Sequence, residues 1–166
     1  SLEPANVSKA RNEGAKLAEG KILFFLDADT TLEKNVLEVI VDNFNRSHSF
    51  GATKVVPDKK GFSFNIFTNW KNFLHKTKLY KGSSGAMICW KKEFLEVGGF
   101  NENKNIMELK DIRKKLLKFG RYIYLNTTVT TSMRRYQKWG LLGSIWFWIV
   151  AWIKAKTNKE QYEVIR

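Results

Sequence analysis

The sequence predicts an α/β fold, and three observations support this prediction. The run Ile22 to Leu26 is short and apolar, as expected for a strand that is buried on both faces of a sheet. A helical pattern of apolar residues follows it, and Phe50 to Val56 is then predicted as a strand that ends at Pro57. A strand, a helix and a strand at this spacing are typical of parallel α/β proteins.

Composition limits the classes of protein and of partner. The 166 residues suffice for one domain, and 43% hydrophobic residues with only two prolines argue against disorder. The single cysteine, Cys89, excludes an internal disulfide, and its apolar neighbours indicate a buried structural thiol in a reducing, cytoplasmic compartment. The net charge of +13 indicates an anionic partner, which charge alone leaves open among lipid, nucleic acid and phosphorylated substrate. No usual nucleic-acid-binding motif appears, so nucleic acid is not expected.

The helices and strands before and after the Ile22 to Leu26 strand are predicted from local patterns. Apolar and small residues recur at helical spacing from Val7 to Ala18, where Asn6 or Ser8 can cap the helix. A second helix is expected from about Leu32 to Arg46, after a threonine cap. The later predicted elements are a helix within Lys59–Tyr80, a strand at Ala86–Trp90, helices at Lys91–Val97 and Glu108–Phe119, and strands at Arg121–Leu125 and Thr127–Ser132.

The segment from Lys59 to Tyr80 mixes aromatic residues with lysines and asparagines. Phe67, Trp70 and Phe73, with Leu74, match one helical face, which predicts a helix here. His75 has no ligand partners near it in the sequence, so we expect a surface or packing residue.

Two carboxylates, Asp27 and Asp29, follow the predicted strand Ile22 to Leu26. Because residues two apart in a strand point to the same side, both side chains can converge just past its C-terminal end. Open α/β sheets bind ligands at that end. Mg²⁺ or Mn²⁺ carrying a diphosphate uses one or two carboxylates together with substrate phosphates. The alternative is a strand that ends in a turn, with Asp29 capping the next helix.

Three other charged residues are candidates for a functional role. Arg11 lies in the first helix, where a solvated surface arginine is the default. Glu108 and Asp111 are ordinary first-turn acids of a helix, favourable against its dipole, or else the base of a transfer reaction.

The C-terminal segment, residues 137–166, differs in character. It carries four tryptophans among aliphatic residues, with lysines and arginines on both sides: Trp139, Trp146, Trp148 and Trp152. Its apolar part is shorter than the roughly 20 residues that cross a bilayer. We expect a helix that lies in the interface of an anionic membrane, and the alternatives are a helix docked on the sheet or buried in an oligomer.

The order of motifs resembles that of family 2 glycosyltransferases, which have the GT-A fold. The resemblance rests on Ala10-Arg-Asn-Glu-Gly14, on Ala18 to Thr30 with its Asp-Ala-Asp, on Gly85 to Asn101 with its Gly-Gly-Phe, and on Glu108-Leu-Lys-Asp-Ile-Arg113. It extends from about Val7 to Tyr136. It implies a GT-A-like, Rossmann-like mixed sheet flanked by helices in residues 1–136, followed by the tryptophan-rich helix.

The family opens with strands that hold the nucleotide base, and none is found before Arg11. If this chain is the whole polypeptide, the resemblance implies an N-terminally truncated domain that binds donor weakly or not at all. Open strand edges in such a domain favour a homo-oligomer.

The resemblance also implies a nucleotide-sugar-dependent transferase. Arg11 would lie near the nucleotide, Asp27 would face its ribose and the metal, and Asp29 would bind the Mn²⁺ or Mg²⁺ that bridges the donor diphosphate. Glu108 or Asp111 would take the proton of the acceptor hydroxyl in an inverting displacement. A saccharide or a polyprenyl-lipid acceptor would suit an enzyme bound peripherally at the cytoplasmic face of the membrane.

One residue departs from the family pattern. The family has Glu-Asp at the acidic motif, with the second acid as base, and this chain has Leu109 after Glu108. The alternative function is therefore an inactive, glycosyltransferase-like binding or scaffold module at the membrane.

Overall fold

A computed structural model of the chain describes residues 6–82, 85–103, 108–134 and 136–140, together with residues 143, 146 and 150. The elements of these residues are, in chain order, α1 (Val7–Leu17), β1 (Ile22–Leu26), β2 (Thr30–Leu32), α2 (Val36–Asn43), β3 (His48–Pro57), α3 (Phe62–Lys76), β4 (Ala86–Trp90), α4 (Lys91–Glu96), α5 (Glu108–Leu116) and β5 (Arg121–Thr131). The α/β prediction is confirmed.

The strands form one mixed sheet in the order β1-β4-β3-β5-β2. Strands β3 and β5 are parallel, and the other neighbouring pairs are antiparallel. Because β1 and β3 are both antiparallel to β4, they run in the same direction, as the strand-helix-strand spacing predicted. The two strands are separated in the sheet by β4.

The core lies on both faces of the sheet. Alternate residues of β4 face opposite sides, so Met87 and Cys89 pack in one cluster while Ile88 and Trp90 pack in the other. The first cluster is covered by α1, α4 and α5, and the second by α2. The prediction of a buried structural thiol at Cys89 is confirmed, and burial raises the pKa of that thiol far above its usual value.

The prediction that β1 is buried on both faces is confirmed only in part: Leu23 and Phe25 pack in the first cluster and Ile22 and Phe24 against the second, but most of these side chains are only partly buried. Of its five residues only Leu23 is buried, and Leu26 is exposed. The reason is position: β1 is an edge strand whose strand partner, within the part of the chain that the structure describes, is β4. An edge strand keeps one row of backbone groups unpaired and has less cover than a central strand.

Two boundaries near the site also differ from the prediction. The expected helix from Leu32 begins only at Val36, because Thr30 and Thr31 form β2 and pair with Thr131 and Thr130 of β5. β-branched residues favour such pairing over a helical start. The two strands predicted after residue 120 form the single strand β5, whose register with β3 shifts opposite Thr53 and Lys54.

Helix α3 attaches to the sheet through polar side chains. Its buried residues are Thr68, Asn72 and His75. The Asn72 amide accepts a hydrogen bond from the Val55 N–H (2.9 Å) and donates one to the Val55 carbonyl (2.7 Å). His75 Nδ1 lies 2.8 Å from the Tyr122 hydroxyl, so His75 is a packing residue. Burial, and then the nearby Lys71, lower the pKa of His75 to about 4.

Candidate active site

Arg11 joins two acidic residues that are distant in sequence. Its Nη2 lies 2.8 Å from Oδ1 of Asp27 at the end of β1, and its Nη1 lies 3.0 Å from Oε1 of Glu108 at the start of α5. The Arg11 side chain is only 17% exposed, so the expectation of a solvated surface arginine is wrong. Three elements, α1, β1 and α5, thus meet at one guanidinium.

The position of Arg11 depends on its neighbour Asn12. The buried Asn12 amide donates a hydrogen bond to the Phe100 carbonyl and accepts one from the Phe100 N–H, both at 2.9 Å. These bonds hold the Phe100 ring beside Arg11, whose guanidinium carbon is 5.4 Å from the ring centroid. Gly99 is required for this approach, because a Cβ there would lie 2.5 Å from the Asn12 side-chain oxygen.

Asp27 and Asp29 lie in a turn, because β1 ends at Leu26. The alternation of side chains in a strand, on which the prediction for these two residues rested, therefore does not apply to them. The Thr30 N–H donates to the Asp27 carbonyl at 3.0 Å, which closes the turn. The alternative of a strand that ends in a turn therefore describes the backbone, but β2 rather than a helix follows Asp29. Oδ2 of Asp29 lies 3.4 Å from Nη2 of Arg134, and the Asp29 carbonyl accepts the Ser132 N–H at 3.0 Å.

The glycine-serine loop before β4 reaches this turn. The Asp27 N–H donates to the Gly85 carbonyl at 2.9 Å. Gly85 has a φ of +75°, and a Cβ there would lie 3.0 Å from the Thr30 hydroxyl, so both conformation and space favour glycine. Ser83 and Ser84 of the same loop lie outside the described residues.

Lys71 is a cation near the site that no sequence pattern indicated. It projects from α3 and is partly buried, with its ammonium 5.1 Å from the centroid of the Phe67 ring. Burial lowers the pKa of Lys71, and attraction by the Asp27 carboxylate opposes that shift. Helical spacing places Lys71 between the buried polar side of α3 and its outer side. The sequence offered no signal for this position, because the side of α3 that is buried is known only from its packing on the sheet.

The two acids of α5 have different surroundings. Glu108 contacts Arg11 directly and its side chain is 19% exposed. Asp111, one turn later, lines a small cavity of about 180 Å³ beside Gly99, Asn101 and two lysines. Leu109, between them, packs against the core cluster under α5. The structure therefore brings Glu108 into contact with the Arg11 group and places Leu109 on the core.

Asp27 and Asp29 supply carboxylate oxygens at one turn, which suits a hard divalent cation. Within the described ranges, no group of three or more histidine, cysteine or acidic side chains could hold a metal ion. An ion at these two residues would need further oxygen ligands from a bound substrate or water. A magnesium or manganese ion that carries a diphosphate has this requirement, so the residues present fit the predicted ion.

The tail is described only in part. Trp139 is partly buried and Trp146 is 68% exposed, while Trp148 and Trp152 lie outside the described residues. Over the parts of the chain that the structure describes, a helix with the length and apolar character needed to cross a membrane is not found.

Comparisons with known proteins give two similarities. Residues 3–102, more than half of the chain, match the family described as glycosyl transferase family 2. This range contains Arg11, Asp27 and Asp29 and ends before Glu108. The chain is also similar to a glucosyl-dolichyl phosphate glucuronosyltransferase of Haloferax volcanii, with 28% identity over 114 residues, 61% of this chain and 36% of the relative. The chain thus spans about a third of the length of that relative.

Proposed function

The chain belongs to glycosyl transferase family 2, and we propose that it transfers a sugar from a nucleotide-sugar donor to a lipid-linked acceptor. Its mixed sheet with helices on both faces is consistent with a GT-A-like domain. The observation that carries the proposal is the Arg11 guanidinium, which contacts both Asp27 and Glu108. This contact holds the donor-side acid and the acid of the transfer motif in one cluster.

The relative supports the class of acceptor. Its name pairs glucuronosyl transfer with glucosyl-dolichyl phosphate, a sugar phosphate on a lipid. The acceptor proposed here is accordingly a polyprenyl-type lipid, which attacks the donor through a hydroxyl of its sugar or through its phosphate. The net charge of +13 agrees with an anionic substrate at an anionic surface. We place the protein peripherally at the cytoplasmic face of the membrane, with its tryptophan-rich tail in the interface.

The donor diphosphate is proposed to bind at the end of β1. Asp27 and Asp29 would hold Mn²⁺ or Mg²⁺ against it, and the ion would offset charge on the departing nucleoside diphosphate. Lys71 near Asp27 and Arg134 beside Asp29 add positive charge to this region. Arg11 fixes the rotamer of Asp27 through a charge-assisted hydrogen bond of 2.8 Å, so that the carboxylate is oriented before the donor arrives.

Glu108 is the proposed base for a hydroxyl acceptor. Its carboxylate accepts one hydrogen bond from Arg11, which orients it and leaves its second oxygen to receive a proton. The acceptor oxygen attacks the anomeric carbon, the bond from that carbon to the diphosphate breaks, and the acceptor proton moves to Glu108. Attack opposite the leaving group inverts the anomeric centre. Glu108 is preferred over Asp111 because Glu108 directly contacts the residue that holds Asp27.

The test is transfer from a panel of nucleotide sugars to a polyprenyl-phosphate-linked sugar in the presence of Mn²⁺. We expect turnover by the unmodified protein and no turnover by Asp29→Ala. The same variant should bind Mn²⁺ more weakly, as measured by electron paramagnetic resonance. Glu108→Gln should lower the rate constant of transfer by about 10²-fold or more, whereas Asp111→Asn should retain most of it. Loss of turnover in Asp111→Asn with retention in Glu108→Gln would reverse the assignment of the base.

A second candidate function is an inactive binding or scaffold module at the membrane. Leu109 favours it, because an apolar side chain that packs on the core stands where the family has its second acid. This candidate predicts that the protein turns over no donor of the panel while it still binds anionic membranes. Turnover that depends on Asp29 would exclude it.

A further inference from the structure

Helix α3 exposes an apolar side and buries polar residues, whereas a helix that packs on a core ordinarily buries its apolar side. Its outward residues are aromatic or aliphatic, and they are 51% to 83% exposed: Phe62, Ile66, Trp70 and Phe73. Their spacing of four, four and three residues places them within one sector of the helix. The buried residues of α3 are polar and lie on the opposite side: Thr68, Asn72 and His75. We call the four outward residues the α3 stripe.

The inner side of α3 leaves the stripe no alternative position in the fold. The Asn72 side chain forms hydrogen bonds with both the backbone N–H and the backbone carbonyl of Val55, as a neighbouring strand would. The His75 ring forms a hydrogen bond with the Tyr122 hydroxyl. Rolling the helix to bury the stripe would break these bonds and leave polar groups unpaired inside the protein. The stripe is therefore a permanent outward feature of α3. Contiguous exposed apolar surface of this kind marks an interaction site.

The charges around the α3 stripe select the partner. Residues 59–81 contain six lysines and no acidic residue. Lys59 and Lys60 precede the helix and are exposed, and Lys76, Lys78 and Lys81 are exposed at or after its C-terminal end. Aromatic and aliphatic residues flanked by lysines are the composition of helices that lie in the interface of an anionic bilayer.

The α3 stripe is close to the candidate active site through the segment that precedes the helix. The Asp58 carboxylate accepts the Met133 N–H at 2.8 Å, and the adjacent Ser132 N–H donates to the Asp29 carbonyl at 3.0 Å. The start of the tail lies here as well, since the Tyr136 and Phe67 rings are 4.6 Å apart and Lys59 donates to Gln137. A bilayer under α3 would therefore pass close to Asp29.

We propose that the α3 stripe inserts into the headgroup and acyl boundary of an anionic bilayer, with the flanking lysines on the lipid headgroups. This membrane surface on α3 is additional to the tryptophan-rich tail. The inference rests on the proposed function in one respect, because it explains how a lipid-linked acceptor reaches the Asp29 end of the site. A second copy of the chain and the chain's own residues 141–166 are the competing occupants of the stripe.

The first experiment measures sedimentation of the protein with vesicles of phosphatidylglycerol and phosphatidylcholine, and with vesicles of phosphatidylcholine alone. We expect binding to the anionic vesicles that falls at least tenfold in the double variant Phe62→Ser, Trp70→Ser. Val41→Ser is the matched control, because Val41 lies on α2 and is 68% exposed. Equal affinity of the double variant and the control for anionic vesicles would overturn the proposal.

The second experiment identifies the occupant. Cys89 is buried, so an Ile66→Cys variant accepts an environment-sensitive thiol dye at position 66 alone. We expect emission typical of water without vesicles and a blue shift on addition of anionic vesicles, while the dye on Val41→Cys shows no shift. A dye already blue-shifted in dilute protein would assign the stripe to residues 141–166. A shift that depends on protein concentration would assign it to a second copy, and either result would overturn the proposal.

These readouts are independent of catalysis. Vesicle binding through α3 without turnover of any nucleotide sugar would reject the proposed transferase and keep the membrane surface. Turnover on a water-soluble acceptor analogue, with no contribution of the α3 stripe to vesicle binding, would keep the transferase and reject the membrane surface.

Discussion

Asn12 and Phe100 are joined by two hydrogen bonds of 2.9 Å between the Asn12 amide and the Phe100 backbone. The pair connects α1 to the turn after α4 and places the Phe100 ring beside Arg11. A buried side chain that satisfies a distant backbone N–H and carbonyl replaces a strand partner, so its loss leaves two buried polar groups unpaired.

We therefore expect Asn12→Ala to destabilise the fold by about 1–3 kcal/mol. Chemical denaturation followed by tryptophan fluorescence measures this loss. Transfer activity should fall as well at temperatures where the variant is folded, because the Phe100 ring no longer fixes Arg11. Asn43→Ala is the control, since Asn43 is exposed and bonds only within its own helix. Equal loss of stability in both variants would contradict the role of Asn12.

Arg11 should not be replaceable by lysine. One guanidinium bonds two carboxylates through separate nitrogens, and a single ammonium does not reproduce this fork. Arg11→Lys should destabilise the protein by about 1–2 kcal/mol, because Asp27 and Glu108 then lie close together with less positive charge between them. It should also lower donor affinity, measured by calorimetry with a nucleoside diphosphate and Mn²⁺. Unchanged affinity in Arg11→Lys would remove Arg11 from the donor site.

Gly85 and Gly98 form a matched pair for testing the turn at Asp27. Both have a positive φ, +75° and +80°, but a Cβ at Gly85 meets the Thr30 hydroxyl at 3.0 Å whereas a Cβ at Gly98 meets nothing within 4 Å. Each alanine variant should lose about 1–2 kcal/mol from backbone strain alone. Gly85→Ala should lose more than Gly98→Ala and should also weaken Mn²⁺ binding, because the Gly85 carbonyl bonds the Asp27 N–H. Normal Mn²⁺ affinity in Gly85→Ala would contradict this link.

The stability of the protein should fall between pH 6.5 and about 4. His75 has a pKa of about 4 in the folded protein against an ordinary value of 6.5, so in this range the unfolded chain binds more protons. The stabilising effect of a neutral His75 is complete above pH 6.5 and is lost as the pH falls through this window, by about 3 kcal/mol at most. Thermal unfolding as a function of pH measures it. A His75→Gln variant should show a smaller loss, and an identical pH profile would exclude His75 as the cause.

Much of the fold could be predicted from local patterns, and the site only in part. The short apolar run at Ile22–Leu26 and the periodic helices α1 and α5 depend on neighbours in sequence, and the structure has them where they were expected. The contact of Arg11 with Glu108 joins residues 97 positions apart, and no spacing rule reports such a contact. The acidic turn at Asp27 could be recognised by its motif, whereas Lys71 reaches it only through the packing of α3.

Helix α3 shows most clearly what the periodicity of a sequence does not predict. Periodicity predicted the helix correctly, but an aromatic face on a helix ordinarily indicates the side that packs on the core. Here Asn72 and His75 find partners on β3 and β5, so the polar side faces inward. Which side of an amphipathic helix is buried depends on the hydrogen-bonding groups that the sheet offers, and these are known only once the strands are placed.

The division of α3 into two sets of residues separates two properties that are coupled in most amphipathic helices. On an ordinary helix, enlarging the apolar face changes the stability of the fold and its affinity for a partner together. Here Asn72 and His75 anchor the helix while Phe62 and Trp70 face outward. Substitutions among the outward residues can therefore change the rate at which the protein dissociates from a membrane surface without changing the stability of the fold.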